Sequence, residues 1–364
     1  MDHDDNAALL RLTAVTDTAP IRVALIGHGL AGAYFHAPLI EAVRGLKIIA
    51  VATSNQESVK LRRDSPRLVA DPVAACSLED VELVVIATPN GTHFRLAATA
   101  LRAGKHVVVD KPMVLSTAQA DELIALAARQ ERLLTVFHNR RLDGDFLYIA
   151  ELLRRGELGE VMLVESRWDR FRPQIGAGWR NELVPGAGLL WDLGPHLIDQ
   201  ALCLFGPPDR IDADIAQQRS GAAVDDYFEL TLHYGPMRCI LSASTLIALP
   251  RPRFAVHGTR GSCLTFGVDP LEEALRGSRK SGESDLRDDL ARMQGLRVDA
   301  SGRRQDLQFE AGKWQDFYAD LANAIRRGTP PAVDPQQARA GIALIEQALL
   351  SCTRRTRPSS APEP

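Results

Sequence analysis

Apolar and polar positions alternate in blocks along the first third of the chain. Val23–Ile26 is an apolar run, and the following stretch has Phe35, Leu39, Ile40 and Val43 at helical spacing. Lys47–Thr53 reads as a second strand and Glu57–Arg63 as a short helix. Val81–Ala87 is strongly apolar, as suits a central parallel strand covered on both faces. Thr92–Ala103 predicts a helix closed by Gly104, and His106–Val109 another buried strand. Ser116–Gln130 predicts a helix with Ser116 as N-cap, and Leu133–Phe137 a further strand. Strand and helix in regular alternation point to a doubly wound parallel sheet.

The rhythm changes near residue 139. Asp143–Arg155 reads as a helix and Val161–Trp168 as a strand, followed by a polar stretch holding Trp and Arg. A helix is expected to begin near Asp192, with Pro195 in its first turn. Arg210–Gln218, Tyr227–Tyr234, Met237–Thr245, Arg253–His257 and Cys263–Phe266 follow as strands without helices between them. Such a series indicates a largely antiparallel sheet. Residues 277–306 are polar and read as a surface excursion, whereas Trp314–Arg326 and Pro335–Leu350 are amphipathic helices.

The turn after the first apolar run is Gly27-His28-Gly29-Leu30-Ala31-Gly32, which has G-x-G-x-x-G spacing. Between strand and helix, this spacing suits a dinucleotide phosphate. Gly27 permits the tight turn, Gly29 lets the pyrophosphate approach the backbone, and Gly32 lets helix and strand pack closely. The helix start offers free N–H groups and a positive dipole end. The plainer alternative is a turn and nothing more. Ligands of doubly wound sheets lie beyond the carboxyl ends of the strands. That rule selects three loops: Gly27–Gly32, the loop with Thr88, Pro89, Asn90 and His93, and Asp110-Lys111-Pro112. An NAD-binding sheet places an acidic residue at the end of its second strand to hold the ribose 2′-hydroxyl. Here the place reads Ala52-Thr53-Ser54-Asn55, so NADP is expected over NAD. Thr53 and Ser54 would donate to a 2′-phosphate, with charge from Lys60, Arg62 or Arg63; Glu57 is the nearest acid.

Composition narrows the class. The chain has 364 residues, 45% hydrophobic and 24% charged, with a net charge of −3. That is enough for a sizeable core, most simply in two domains. Scattered arginines and a near-neutral balance argue against nucleic acid. The five cysteines, Cys76, Cys203, Cys239, Cys263 and Cys352, lack metal or redox spacing and suggest reduced thiols in the cytoplasm. No apolar run is long enough to span a membrane. Residues 1–20 read as a mobile leader without signal-peptide pattern, and 353–364 as a frayed tail.

Two places carry chemistry beyond the glycine loop. Lys111 follows a buried strand at the sheet's carboxyl edge, and Pro112 restricts the backbone there. It is either a solvated loop lysine or a cation beside a nicotinamide. The second place is Trp191-Asp192-Leu193-Gly194-Pro195-His196-Leu197-Ile198-Asp199. A helix starting at Pro195 would put His196 and Asp199 on one face, with Asp192 just before its start. An imidazole among carboxylates can move protons near neutrality. The alternative is a structural His–Asp bond with Asp192 as N-cap. A third ligand is lacking nearby, so no metal is expected. Hydride transfer from an alcohol needs an acceptor for the hydroxyl proton and a cation for the developing alkoxide. His196 and Lys111 could fill those roles, with Asp192 orienting one of them.

Taken together, Gly27-x-Gly29-x-x-Gly32, Thr88-Pro89-Asn90, Asp110-Lys111-Pro112 and Asp192-x-Gly194-x-His196-x-x-Asp199 resemble the Gfo/Idh/MocA oxidoreductases over about residues 21–352. This family is named for glucose–fructose oxidoreductase and inositol dehydrogenase. The resemblance implies an α/β protein: a Rossmann domain over 21–138 and a second α/β domain with a large, mostly antiparallel open sheet over 139–334. A C-terminal helix over 335–352 could return to the first domain. It implies Lys111, Asp192 and His196 as the catalytic group and a homodimer or homotetramer formed through the open sheet. Asp110 departs from the Glu that many members place before Lys-Pro. Phe35-His36-Ala37-Pro38-Leu39, Phe137-His138-Asn139-Arg140-Arg141, Arg170-Phe171-Arg172-Pro173 and Trp179-Arg180 are similar to the NADP-using scyllo-inositol dehydrogenase-like branch. From these, Asn139, Arg170 and Arg172 are expected at the substrate and Trp179 and Arg180 at the cofactor; interdomain salt bridges are the plainer use of the arginines. The expected substrate is a neutral cyclic polyol or sugar, inositol-like, with a sugar acid or phosphate as competitor. A nucleotide-binding sensor without turnover and an NAD-dependent glycosidase are the other classes this fold allows.

Overall fold

The structure is a computed structural model describing residues 19–54, 59, 66–277 and 293–355. The leader up to residue 18, most of the expected 57–63 helix with Lys60, Arg62 and Arg63, and the tail beyond 355 lie outside the described residues.

The chain forms two compact units. One comprises the chain up to Tyr148 with Asp269–Arg292 and Phe309–Arg339; the other comprises Ile149–Val268, Met293–Gln308 and the chain from Ala340 onward.

The first unit holds a six-stranded parallel sheet. Its strands are β1 (Ile21–Ile26), β2 (Leu46–Ala52), β3 (Arg67–Val69), β4 (Leu83–Ile86), β5 (His106–Val109) and β6 (Leu134–Val136), in the order β3-β2-β1-β4-β5-β6. Val23–Ile26, Leu83–Ile86 and Val107–Val109 have no solvent exposure. This is why they read as unbroken apolar runs: helices cover both faces of a parallel sheet. β3 was not visible in the sequence, because three residues at a sheet edge carry too little pattern. Ser116 caps the Thr117–Arg129 helix as expected, its hydroxyl accepting from the Gln119 amide at 3.2 Å. The helix after the glycine turn contains a wider π turn at Gly32–His36 before regular α geometry over Ala37–Glu41.

The second unit holds an eight-stranded sheet: β7 (Val161–Asp169), β8 (Arg210–Ala216), β9 (Tyr227–Tyr234), β10 (Met237–Ser244), β11 (Phe254–Gly258), β12 (Gly261–Phe266), β13 (Gln294–Asp299) and β14 (Arg304–Leu307). The order is β14-β13-β12-β11-β7-β10-β9-β8, and only β7 and β10 pair in parallel. Residues 277–306, expected as an excursion, instead supply β13 and most of β14. Their apolar positions, such as Leu296 and Val298, merely alternate with polar ones, so a one-sided edge region looks like a polar loop.

The Leu189–Phe205 helix packs on β7, β9 and β10. It begins at Leu189, close to the start expected near Asp192 but early enough that Pro195 falls beyond the first turn. Asp192 lies in its first turn rather than ahead of it, and Pro195 is inside the helix. Asp192 therefore does not cap it. The cap is long-range: the Leu189 amide donates to the Asp225 carbonyl at 2.9 Å and the Leu190 amide to Asp225 Oδ2 at 2.7 Å. Orphan amides of the first turn need an acceptor, and a distant loop provides it.

Candidate active site

In the first unit, β2, β1, β4 and β5 are neighbours, so the loops at their carboxyl ends share one edge of the sheet. The Gly27 amide donates to the Ala52 carbonyl at 2.8 Å, and the Asp110 amide to that of Ile86 at 2.8 Å. Thr53, the glycine turn, Thr88 and Asp110 are thereby lined up at successive strand ends.

The three glycines differ in what surrounds them. Gly27 has φ +95°, and a Cβ there would lie 2.5 Å from the Ala87 carbonyl oxygen. A Cβ on Gly32 would lie 2.0 Å from the Gly27 carbonyl oxygen. At Gly29 a Cβ would meet nothing within 4 Å, and Leu30 beside it is exposed. Two glycines are therefore demanded by the fold, and the third leaves open space over the backbone. The turn fits a dinucleotide phosphate. His28 is buried beneath it and Ala31 is half-buried.

Thr88 and His93 bracket a short 3-10 turn, Asn90–Thr92, in which Asn90 is buried. Pro89 accepts from the Thr92 hydroxyl at 2.7 Å. His93 is fully buried, with Nδ1 2.8 Å from the Pro112 carbonyl and Nε2 2.8 Å from that of Thr88. Burial holds its pKa below the ordinary imidazole value. The ring braces the Thr88 loop against the Lys111-Pro112 turn, whose peptide bond is cis. Lys111 is half-buried, and its amide donates to Asp110 Oδ1 at 2.8 Å. Burial pushes the Asp110 carboxyl up, but His36 and then Lys111 more than offset it and hold it below the usual value. Thr53 is half-buried and Ser54 exposed. Asn139 lies buried in a 3-10 turn, Asn139–Leu142. Arg140 pairs with Asp143 and Glu272 and stacks on Trp314, all in the first unit.

In the second unit, Asp192 and His196 stand four residues apart on one helix face. Arg170 Nη1 lies 3.4 Å from Asp192 Oδ2, and Arg180 Nε lies 3.3 Å from Asp192 Oδ1. The Arg180 guanidinium also stacks 4.7 Å over the Trp179 ring. Two arginines singled out in the sequence, Arg170 and Arg180, thus meet at one carboxylate. Arg172 is exposed on the same loop, its amide donating to the Thr245 carbonyl at 2.7 Å. His196 and Asp199 are buried. Trp168 stacks against His196, with ring centroids 6.1 Å apart and an interplanar angle of 28°. Arg253 lies behind that indole at 4.7 Å and donates to Gln200 Oε1 at 2.8 Å.

Sequence reasoning missed Trp168, Asp225 and Arg219. The first had a signal: Val164, Ser166 and Trp168 alternate as buried positions of β7, facing the helix side. Asp225 and Arg219 had none. Arg219 fixes the arginine loop by donating to the Arg172 and Gln174 carbonyls at 3.2 and 3.3 Å, while pairing with Asp226 at 2.8 Å. Among the described residues, no group of three or more His, Cys, Asp or Glu could hold a metal ion. No helix there is long and apolar enough to cross a membrane. The cysteines are free, and burial pushes the Cys76, Cys239 and Cys263 thiols up to about 12.

Residues 21–138 match the model of an oxidoreductase family's NAD-binding Rossmann fold, and residues 150–359 that of its C-terminal alpha/beta domain, the two Gfo/Idh/MocA models. The chain is 42% identical over 336 residues to the uncharacterized oxidoreductase YdgJ of Escherichia coli, covering 92% of this chain and 97% of that one. It is 34% identical over 340 residues to the scyllo-inositol 2-dehydrogenase (NADP(+)) IolW of Bacillus subtilis, covering 91% and 93%. A crystal structure from Klebsiella pneumoniae, described as an oxidoreductase, superposes with a TM-score of 0.84 at 41% identity, covering 93% and 94%.

Proposed function

The chain belongs to the Gfo/Idh/MocA oxidoreductase family, and from that premise we propose that it is an NADP-dependent dehydrogenase acting on a secondary alcohol of a cyclic polyol or sugar, with an inositol favoured. The observation that carries this reading is Asp192, held by Arg170 and Arg180 one helical turn ahead of His196. A bound nicotinamide would supply the hydride acceptor or donor. His196 takes the hydroxyl proton, and Asp192 on the same helix face orients it and supports its basicity. The Lys111 ammonium stabilises the alkoxide as it develops. Gly27, Gly29 and Gly32 hold the pyrophosphate, and the Thr88 loop and Trp179 complete the cofactor contacts.

A neutral substrate is supported by the arginines themselves. Arg170 and Arg180 are already turned to Asp192, so their charge is partly answered inside the protein rather than offered to an external carboxylate or phosphate. The inositol ring comes from the named activity of the Bacillus subtilis relative. NADP over NAD rests on Ala52-Thr53-Ser54-Asn55, where a carboxylate would repel a 2′-phosphate. The sheet face opposite the Leu189–Phe205 helix carries Leu163, Ile240 and Leu264, which supports association into a homodimer or homotetramer.

The test is turnover of purified protein with scyllo-inositol, other inositols, neutral aldoses, sugar acids and sugar phosphates, each with NADP and NAD. We expect reduced nicotinamide to accumulate with an inositol and NADP. Activity confined to charged sugars would overturn the polyol reading, and equal efficiency with NAD would overturn the NADP reading. Cofactor binding without turnover on any of them would favour the sensor.

A further inference from the structure

Three polar side chains far apart in sequence meet inside the first unit. His36 follows the glycine turn, Asp110 precedes Lys111, and Tyr318 lies on the Gln315–Arg327 helix. His36 and Tyr318 have no solvent exposure. His36 Nδ1 lies 2.5 Å from the Tyr318 hydroxyl, and its Nε2 lies 3.8 Å from Asp110 Oδ2. The other carboxylate oxygen, Oδ1, accepts the Lys111 amide at 2.8 Å. Phe137 fixes the imidazole plane, with centroids 4.4 Å apart.

An imidazole and a phenol in a dry core cost desolvation free energy that apolar residues would not. Here both are aligned on a single carboxylate. The arrangement is consistent with one direction of hydrogen bonding: the Tyr318 hydroxyl donates to Nδ1, which leaves the proton on Nε2, facing Asp110. Asp110 then has one oxygen turned to a donor from the core and the other on the backbone of the residue that follows it.

We propose that His36 and Tyr318 are positioning residues for Lys111, acting through Asp110; this rests on the reading of Lys111 as the cation at the alkoxide. His36 favours the ionised Asp110 electrostatically across 3.8 Å, without a hydrogen bond to it, and the Lys111 amide fixes the carboxylate's rotamer. The fixed carboxylate holds the Lys111 turn and places a negative charge beside the ammonium. The charged and titratable groups around Asp110 are Lys111, His93, His36 and, from the packed helix, Tyr318. Removing His36 takes away the first influence that lowers Asp110 against burial. The carboxyl should then protonate at higher pH, and function that needs it ionised should fail at higher pH.

The experiment is a carboxyl titration by NMR in protein carrying 13C-labelled aspartate, with Asp110 assigned through Asp110→Asn. It needs no substrate. In His36→Leu we expect the Asp110 midpoint to rise by about one pH unit. The rise should be smaller in Tyr318→Phe and smaller still in His36→Gln, whose amide can donate to the carboxylate. The acid limb of kcat with scyllo-inositol and NADP should move in the same order, with the KM for NADP little changed. If His36→Leu does not fold, Tyr318→Phe decides, since it removes one oxygen and keeps the ring. An unchanged midpoint in a folded variant overturns the proposal. A moved midpoint with an unmoved acid limb overturns the link to Lys111. Lys111→Met separates the two readings: if it keeps full turnover, the role of Lys111 fails, and the Asp110 titration still tests the buried line.

Discussion

The two units position their candidate site residues by different means. In the first, the loops of interest follow adjacent strands of a parallel sheet, and the sheet order alone lines them up. In the second, the Asp192–His196 helix lies on a largely antiparallel sheet and is held by side chains distant in sequence or on other elements: Asp225 at its start, Arg170 and Arg180 at Asp192, and Trp168 of β7 at His196. A parallel sheet collects its strand ends at one edge by construction. An antiparallel sheet does not, and side-chain ties must fix what the topology leaves loose.

Substitutions can break or sharpen this contrast. The largest effect is expected at the chemistry. Lys111→Met and His196→Ala should each lower kcat by about 10²–10⁴-fold, with the Kd for NADP, read by fluorescence titration, nearly unchanged. A His196→Ala enzyme with normal turnover would reduce the second cluster to packing against Trp168.

The glycine turn comes next. Gly27→Ala and Gly32→Ala should each cost roughly 1–3 kcal/mol of stability, because a Cβ there overlaps backbone oxygen. Gly29→Ala should leave the Tm alone and weaken NADP binding, since only a ligand would fill the space above it. Equal melting losses at all three would mean that the turn serves the fold alone.

At the helix start, Asp225→Ala should cost about 1–2 kcal/mol, within the range for a lost cap, and lower kcat as Asp192 loosens. Asp225→Asn, which keeps an acceptor, should cost less. Chemical denaturation with parallel kinetics checks both. If Asp225→Ala is neutral, the helix of the second unit does not depend on this long-range tie.

The smallest effect is a pH slope in the first unit. Burial, then Arg132, lowers His106 from 6.5 to about 4, and its Nδ1 accepts the Leu133 amide at 3.0 Å. The unfolded chain thus takes up the proton first. Stability should fall as pH drops from about 6.5 toward 4, the folded ring being neutral over that window. His106→Gln, which cannot titrate, should flatten this dependence in denaturation at pH 4.5 and 7.

Much of this molecule was legible in the residues, and the limits of that reading were physical. Tyr227–Tyr234 and His106–Val109 were read to the residue, because buried strands carry strong patterns. The Asp192 helix was expected near its true start, but Pro195, a favoured first-turn residue, and Asp192 were each placed too early in it, because the actual cap, Asp225, is 35 positions away from Leu190. β13 and β14 were read as a loop because an edge region with a solvated face is mostly polar.

The sequence by itself determined the alternation of strand and helix in the first unit, the glycine turn, the family and the residues worth testing. These depend on periodicity and on local backbone demands, which act over a few neighbours. Only the tertiary structure decided which side chains meet. That Arg170 and Arg180 answer Asp192, that Trp168 stacks on His196, and that His36 bonded to Tyr318 faces Asp110 each depends on chain returning from a distance. No local pattern records such meetings, because hydrogen bonds and ring stacking act over a few ångströms in space, whatever the separation along the chain.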